Sequence, residues 1–136
     1  SELSPGAQAL MPVHMQSRRG VDDEEAKKVV RQARAAAAPY PNDPFAQLAL
    51  AEAEIDAGEY DAADRAADTV LAADPASVPA LIFKGRVAMH RLKEAKSADP
   101  EAWKQARRWF TRANRADPNA PEPLMWFYES FNREGV

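Results

Sequence analysis

Apolar and small residues recur at three- and four-residue steps along the second half of the chain. The clearest stripes are Leu81, Gly85, Ala88, Met89 and Leu92, then Trp103, Ala106, Phe110 and Ala113, then Leu124, Phe127, Tyr128 and Phe131. This spacing is typical of one buried face of an α-helix, and no stretch alternates apolar and polar residues as a half-buried strand would. The pattern therefore predicts an all-α protein.

Acidic residues and prolines mark the starts of individual helices. Asp22 supplies a side-chain cap before a helical pattern, which predicts a helix over Asp22–Ala38. Asp99 is followed by Pro100, and a capping acid followed by proline predicts another helix start. The last apolar stripe predicts a helix over Glu122–Arg133.

Three prolines divide the chain into segments of similar composition. Pro41 and Pro75 are 34 residues apart, and Pro118 follows Pro75 after 43 residues. Gly58 lies near the middle of the first interval. A period of 34 with a turn glycine near the middle and a proline at the end is the spacing of a helix–turn–helix repeat.

The residues between these prolines resemble the tetratricopeptide repeat family. The matching residues are Leu50-Ala51, the turn Gly58-Glu59-Tyr60-Asp61, Ala63, and Asp74-Pro75. The chain departs from the family pattern at Gln47, Glu54 and Ala67. The resemblance implies a right-handed superhelical α-solenoid of antiparallel helix pairs, with about three units plus a terminal single helix.

The same resemblance implies the organisation of the chain. Residues 21–136 are expected to form the repeat domain, with units at about 10–43, 44–77 and 78–120 and a partial unit at 121–136. Because Pro12 interrupts the pattern, residues 1–20 are expected to form an arm or a short broken helix. The nine surplus residues of the longer interval fall in Arg91–Pro100, and we expect them to lengthen the first helix of that unit by about two turns, followed by a longer turn.

The chain begins Ser1-Glu2-Leu3 without an initiator methionine, and we interpret it as a segment of a larger, bacterial protein. Such a segment is compatible with both the cytoplasm and the bacterial periplasm. The absence of cysteine excludes disulfides, thiolate metal sites and thiol chemistry.

The resemblance also implies a binding surface, because the first helix of each unit in this family lines a concave wall. The wall positions fall on Phe45, Leu48, Glu52, Ile55 and Asp56, on Pro79, Ile82, Arg86, Met89 and His90, and on Glu122, Met125, Glu129, Asn132 and Arg133. Apolar anchors among charges of both signs suit an extended peptide or a partner helix. The alternative is that Leu48, Ile55 and Met89 belong to the core, as apolar helix stripes usually do.

Charge is distributed unevenly along the chain, whose net charge is −3. Residues 41–77 carry nine acids and one base, whereas residues 78–136 carry eleven bases and seven acids. Lys104, Arg108, Arg112 and Arg115 form a basic stripe beside Trp109, a pattern that can meet phosphates or an anionic membrane. The overall negative charge favours a solvated helix face instead, so neither nucleic acid nor membrane is expected as a partner.

Residues that carry catalysis do not converge in this sequence. His14 and His90 are the two histidines, and neither has a metal-ligand partner at helical spacing. No glycine-rich phosphate loop or nucleophile motif is present. We therefore expect no enzyme activity, cofactor or metal site.

The last predicted helix is too apolar for a capping helix, which needs a polar outer face. Part of it is expected to be exposed and to mediate self-association through Leu124, Trp126, Phe127 and Phe131. The sequence thus predicts a protein–protein interaction module. The alternative is a structural spacer or docking domain that packs on another domain of its parent and has no separate ligand.

Overall fold

The computed structural model of the chain describes residues 3–17 and 22–135. Among these residues there are seven helices and no strand. The helices are α1 (Pro5–Ser17), α2 (Asp23–Ala37), α3 (Pro44–Asp56), α4 (Tyr60–Ala73), α5 (Val78–Glu94), α6 (Pro100–Ala116) and α7 (Glu122–Glu134). The prediction of an all-α protein is confirmed. Two compact units divide the chain, unit 1 over Ser1–Ala73 and unit 2 over Asp74–Val136.

Side-chain caps fix the starts of most helices. Asp22 accepts a hydrogen bond from the backbone N–H of Glu25 at 2.8 Å, and Asp99 accepts one from Glu101 at 3.0 Å. Each bond satisfies a backbone donor that has no partner inside the helix. In α6, Pro100 takes the first helical position, where its missing N–H costs nothing. The predicted starts of α2 and α6 are confirmed.

The N-terminal segment contains a helix, α1. The 13 residues of α1 include Pro12, which lies on the exposed side. Helix α1 packs on both α2 and α3, and Leu10 is fully buried there. Residues 1, 2 and 18–20 of the expected arm lie outside the described residues.

The surplus residues of the longer repeat are spread over two helices and their connection. Helix α5 has 17 residues against 13 in α3, and α6 has 17 against 14 in α4. The expected longer turn is present, because residues 95–99 separate α5 from α6 whereas residues 57–59 separate α3 from α4. The expectation of about two extra turns on the first helix was wrong, because α5 gains only one. It ends where Lys96 takes a left-handed backbone (φ 52°) and the N–H of Ser97 bonds the carbonyl of Leu92 at 3.0 Å.

The core of unit 1 is built mainly from alanine. Its buried cluster comprises Leu10, Val29, Val30, Ala33, Ala37, Ala46, Ala49 and Ala53. Helix α3 contacts α1, α2 and α4, and its small residues allow neighbouring helices to approach closely. Gly58, with φ 75°, ends α3 in the left-handed conformation that glycine adopts without strain.

Unit 2 encloses large side chains instead. Trp103, Phe110 and Met89 are fully buried, and the indole N–H of Trp103 donates to the carbonyl of Ser97 at 2.9 Å. Phe110 lies against Gly85 so closely that a Cβ added at Gly85 would be 2.5 Å from its Cε1. The absence of a side chain at position 85 therefore makes room for the ring.

The departures from the repeat pattern in unit 1 are buried. Gln47, Glu54 and Ala67 all lie inside, and Glu54 is only 3% exposed. Its carboxylate is 3.3 Å from the guanidinium of Arg34 in α2, which also pairs with Glu59 at 2.6 Å. Burial raises the pKa of Glu54, and the hydrogen bond and charge of Arg34 oppose that shift. This ion pair joins α2, α3 and the turn before α4.

Candidate protein-interaction surfaces

The proposed wall residues of unit 1 lie on α3 and differ in exposure. Phe45, Leu48 and Glu52 are half-buried, and Phe45 packs against the alanine cluster. Ile55 is buried, which agrees with the alternative interpretation that it is a core residue. Three of the four residues therefore reach the surface in part.

The proposed wall residues of unit 2 also separate into core and surface. Ile82 and Met89 are buried, seven residues apart on the same side of α5, so they stabilise the fold and cannot meet a partner. Arg86, His90 and Glu129 are half-buried, and Met125 is 65% exposed. The surface residues come from α5 and α7, which contact each other.

A cationic and aromatic cluster lies where α5 meets α7, and we call it the α5–α7 surface: Arg86, His90, Trp126, Glu129 and Arg133. The guanidinium carbon of Arg86 is 4.7 Å from the ring centroid of Trp126, and that of Arg133 is 5.6 Å from it. The Nε of Arg133 also lies 3.3 Å from a carboxylate oxygen of Glu129. The indole is thus a contact point for two guanidinium groups, each within the range of a cation–π interaction.

Two ionisable side chains on the α5–α7 surface, His90 and Glu129, have shifted pKa values. Burial lowers the pKa of His90, and the charges of Arg133 and Arg86 lower it further, whereas Glu94 opposes them. Hydrogen bonds from Asn132 and then Arg133 lower the pKa of Glu129. At neutral pH the surface therefore presents a neutral imidazole, guanidinium groups and one carboxylate, a combination that attracts acidic groups.

Sequence analysis assigned Trp126 to self-association and did not place it on the wall. The structure instead stacks its ring on that of Phe110, with centroids 6.4 Å apart and an interplanar angle of 21°. No local pattern could have found this placement, because the contact depends on how α7 packs on α6. Arg133, which the resemblance assigned to the wall, lies on the α5–α7 surface.

Helix α7 also presents an exposed apolar stripe, formed by Leu124, Met125, Tyr128 and Phe131, which are 41–66% exposed. Of the residues expected to mediate self-association, Leu124 and Phe131 are exposed, whereas Trp126 and Phe127 are half-buried. The Phe127 ring packs edge-on against Tyr128 and Phe131, with centroids 5.3 and 5.4 Å apart. A contiguous apolar face of this kind is a candidate interaction surface.

Beside this stripe lies a cavity of about 500 Å³ between α6 and α7, which we call the α6–α7 groove. It is lined by Pro100, Glu101, Lys104, Arg107, Arg108, Thr111, Phe127 and Phe131. Arg107 is buried and held by Glu134 at 2.7 Å and by the Ser130 hydroxyl at 3.3 Å, with its guanidinium 3.9 Å from the Phe131 ring centroid.

The basic stripe lies on the outer side of α6. Lys104, Arg108, Arg112 and Arg115 are all exposed, as expected for a solvated face. Trp109 is covered by two cations, because Arg112 lies 4.8 Å and Lys84 5.4 Å from its ring centroid. The aromatic ring of this stripe is therefore engaged within the chain.

The described residues offer little to a metal or a membrane. No group of three or more His, Asp or Glu among residues 3–17 and 22–135 could hold a metal ion. The side chain of His14 lies outside the described residues. Within the same part of the chain, no helix has the length and apolar character needed to cross a bilayer.

Comparison with models of known protein families gives no match, and comparison with curated proteins gives none either. Function therefore has to be inferred from this chain's own surfaces. Of these, the α5–α7 surface and the α6–α7 groove combine apolar contact area with fixed charge.

Proposed function

We propose that the chain is a helical repeat domain of the tetratricopeptide type and serves as a protein–protein interaction module. In this proposal the helix pairs stack into a solenoid whose first helices bind an extended peptide or a partner helix. The spacing of the prolines and the turn at Gly58 support this reading, and the helix bounds agree with it. The scaffold has no catalytic role.

The observation that carries the proposal is the α5–α7 surface. Trp126 offers an aromatic contact between two guanidinium groups, and aromatic residues with arginine are the residues enriched at protein interfaces. Ile82 and Met89 are buried residues of α5, so Arg86 and His90 are presented by a packed helix. We infer that the preferred ligand is an acidic peptide with an apolar anchor residue.

Binding to matched peptides tests the proposal. Three sets of fluorescently labelled 15-residue peptides share a central Phe or Leu, with flanks rich in Asp and Glu, in Asn and Gln, or in Lys and Arg. Fluorescence anisotropy on the full chain should show tightest binding for the acidic set. Arg133→Glu should weaken that binding at least about tenfold, because it reverses a charge beside Trp126.

Arg115→Glu is the matched control, since it makes the same charge change at an exposed site on α6. Equal effects of Arg133→Glu and Arg115→Glu would show that the peptides respond only to net charge. Failure of all three sets to bind would also overturn the proposal.

The alternative function is a spacer or docking domain that packs on another domain of its parent. The exposed stripe of α7 favours it, because Leu124, Tyr128 and Phe131 form an apolar face with no covering element among the described residues. Under this alternative, free peptides do not bind to the α5–α7 surface, and Arg133→Glu has no effect on any peptide binding that is seen.

A further inference from the structure

Helix α3 of unit 1 and helix α7 of unit 2 differ in the number of helices that cover them. In unit 1, α3 contacts α1, α2 and also α4, which follows it in the chain. In unit 2, α7 contacts α5 and α6, and the described residues contain no helix after it. Among the described residues, α7 therefore has two neighbouring helices, whereas α3 has three.

Position by position, the uncovered side of α7 corresponds to the side of α3 that faces α4. Helices α3 and α7 can be aligned on the glycines that follow them, Gly58 and Gly135. In this alignment Leu124 takes the position of Gln47, Phe127 that of Leu50, and Phe131 that of Glu54. The three α3 residues line a crevice whose other wall is formed by Ala62, Arg65, Ala66 and Thr69 of α4. Gln47 and Glu54 are buried there, whereas Leu124 and Phe131 are exposed.

The chemistry of the α6–α7 groove specifies the kind of helix that fits it. Phe127 and Phe131 provide an apolar floor, and the exposed side chains of Lys104 and Arg108 provide a basic wall. Arg107 is already paired with Glu134, so its charge is satisfied within the chain. An occupant thus needs apolar residues on one face and carboxylates along its flank.

We propose that the α6–α7 groove binds one acidic amphipathic helix of a partner protein, which covers α7 as α4 covers α3. Helix α4 shows the type, because its buried face is Ala63, Ala66, Ala67 and Val70 and its exposed side carries Asp61 and Asp68. The larger apolar floor of the groove favours leucine over alanine in the occupant. A helix with these features contacts both the basic wall and the apolar floor of the groove.

The probe that tests this is a fluorescein-labelled 18-residue designed helix with leucine on one face and glutamate on both flanks. A matched probe carries lysine at every glutamate position. Anisotropy titrations on the full chain should show the acidic probe binding at least about tenfold tighter than the basic probe. Circular dichroism of the complex should show the acidic probe gaining helix content on binding.

Variants locate the binding site. Phe131→Ser and the pair Lys104→Glu with Arg108→Glu should each weaken the acidic probe at least about tenfold. Met125→Ser and Arg115→Glu are controls, because both residues are exposed on α7 or α6 but do not line the groove. Arg133→Glu, which tests the α5–α7 surface, should leave binding of this probe unchanged, so the two proposals fail separately.

Three outcomes would overturn the proposal. Equal binding of the acidic and basic probes would remove the role of charge. A dimer in sedimentation equilibrium that Phe131→Ser dissociates, without probe binding, would identify a second copy as the occupant. Binding to vesicles with 30% phosphatidylglycerol that Arg108→Glu abolishes, again without probe binding, would identify a lipid surface.

Discussion

Unit 1 and unit 2 build similar helix assemblies from side chains of very different size. Unit 1 buries alanines such as Ala33 and Ala46 between its helices, whereas unit 2 buries Trp103 and Phe110 and makes room for a ring with Gly85. Protein interiors are close-packed. A core of small residues therefore has no room for a larger side chain, whereas truncation of a large core side chain leaves a large cavity. We therefore expect enlargement to damage unit 1 and truncation to damage unit 2.

The largest expected effect is truncation in unit 2. Phe110→Ala removes a fully buried ring that contacts Gly85 and Trp126, and should lower the free energy of unfolding by about 3–5 kcal/mol. Urea denaturation measures the loss, and hydrogen exchange should place it first in α5 and α6. Phe131→Ala is the control, because this ring is 48% exposed and should cost much less. Equal losses for the two variants would contradict the aromatic core of unit 2.

Enlargement in unit 1 comes next. Ala33→Leu inserts three carbons into a fully buried position on α2 and should cost about 1–3 kcal/mol of unfolding free energy. Ala35→Leu makes the same change at an exposed position of the same helix and should stay within about 0.5 kcal/mol of the parent. Thermal and urea denaturation of both variants provide the comparison. A tolerated Ala33→Leu would mean that α2 and its neighbours are not closely packed.

The smallest expected effect is a difference in pH dependence. The raised pKa of Glu54 gives unit 1 a contribution that is present at acid pH and is lost as pH rises from 4.5 through the raised pKa. The lowered pKa of His90 gives unit 2 a contribution that is present above pH 6.5 and is lost as pH falls through the lowered pKa. Both contributions should be small beside the losses expected for Phe110→Ala and Ala33→Leu.

Matched amide variants separate the two groups. The stability of the parent relative to Glu54→Gln should fall as pH rises from 4.5 to 8, and its stability relative to His90→Gln should rise. Urea denaturation at five pH values measures both slopes. Slopes of the same sign would show that burial does not shift these two groups as the structure indicates.

Sequence predicted the features that depend on neighbours within one helical turn. The caps at Asp22 and Asp99 could be read directly, because a side chain and the backbone N–H it accepts from are two or three residues apart. The end of α5 could not be predicted, because a lysine at position 96 gives no sign of a left-handed backbone. The length of that helix was therefore misjudged.

The candidate surfaces were predictable only in part, because exposure depends on which helices pack together. Arg86 and Met125 reach the surface. Ile82 and Met89 were assigned to the same wall, but they are buried. Glu54 was recognised as a departure from the tetratricopeptide pattern that the sequence resembles. Its partner Arg34 lies twenty residues upstream on another helix, beyond the range of any local rule.

The contacts of Arg107 have a kinetic consequence for whatever enters the α6–α7 groove. With Glu134, Ser130 and the Phe131 ring holding the guanidinium, the floor keeps its shape before a ligand arrives. For the acidic helix proposed above, we therefore expect no slow rearrangement of Arg107 to limit association. Glu134→Gln removes the charge that pairs with Arg107. This variant should lower the association rate constant of the acidic probe more than it raises the dissociation rate constant.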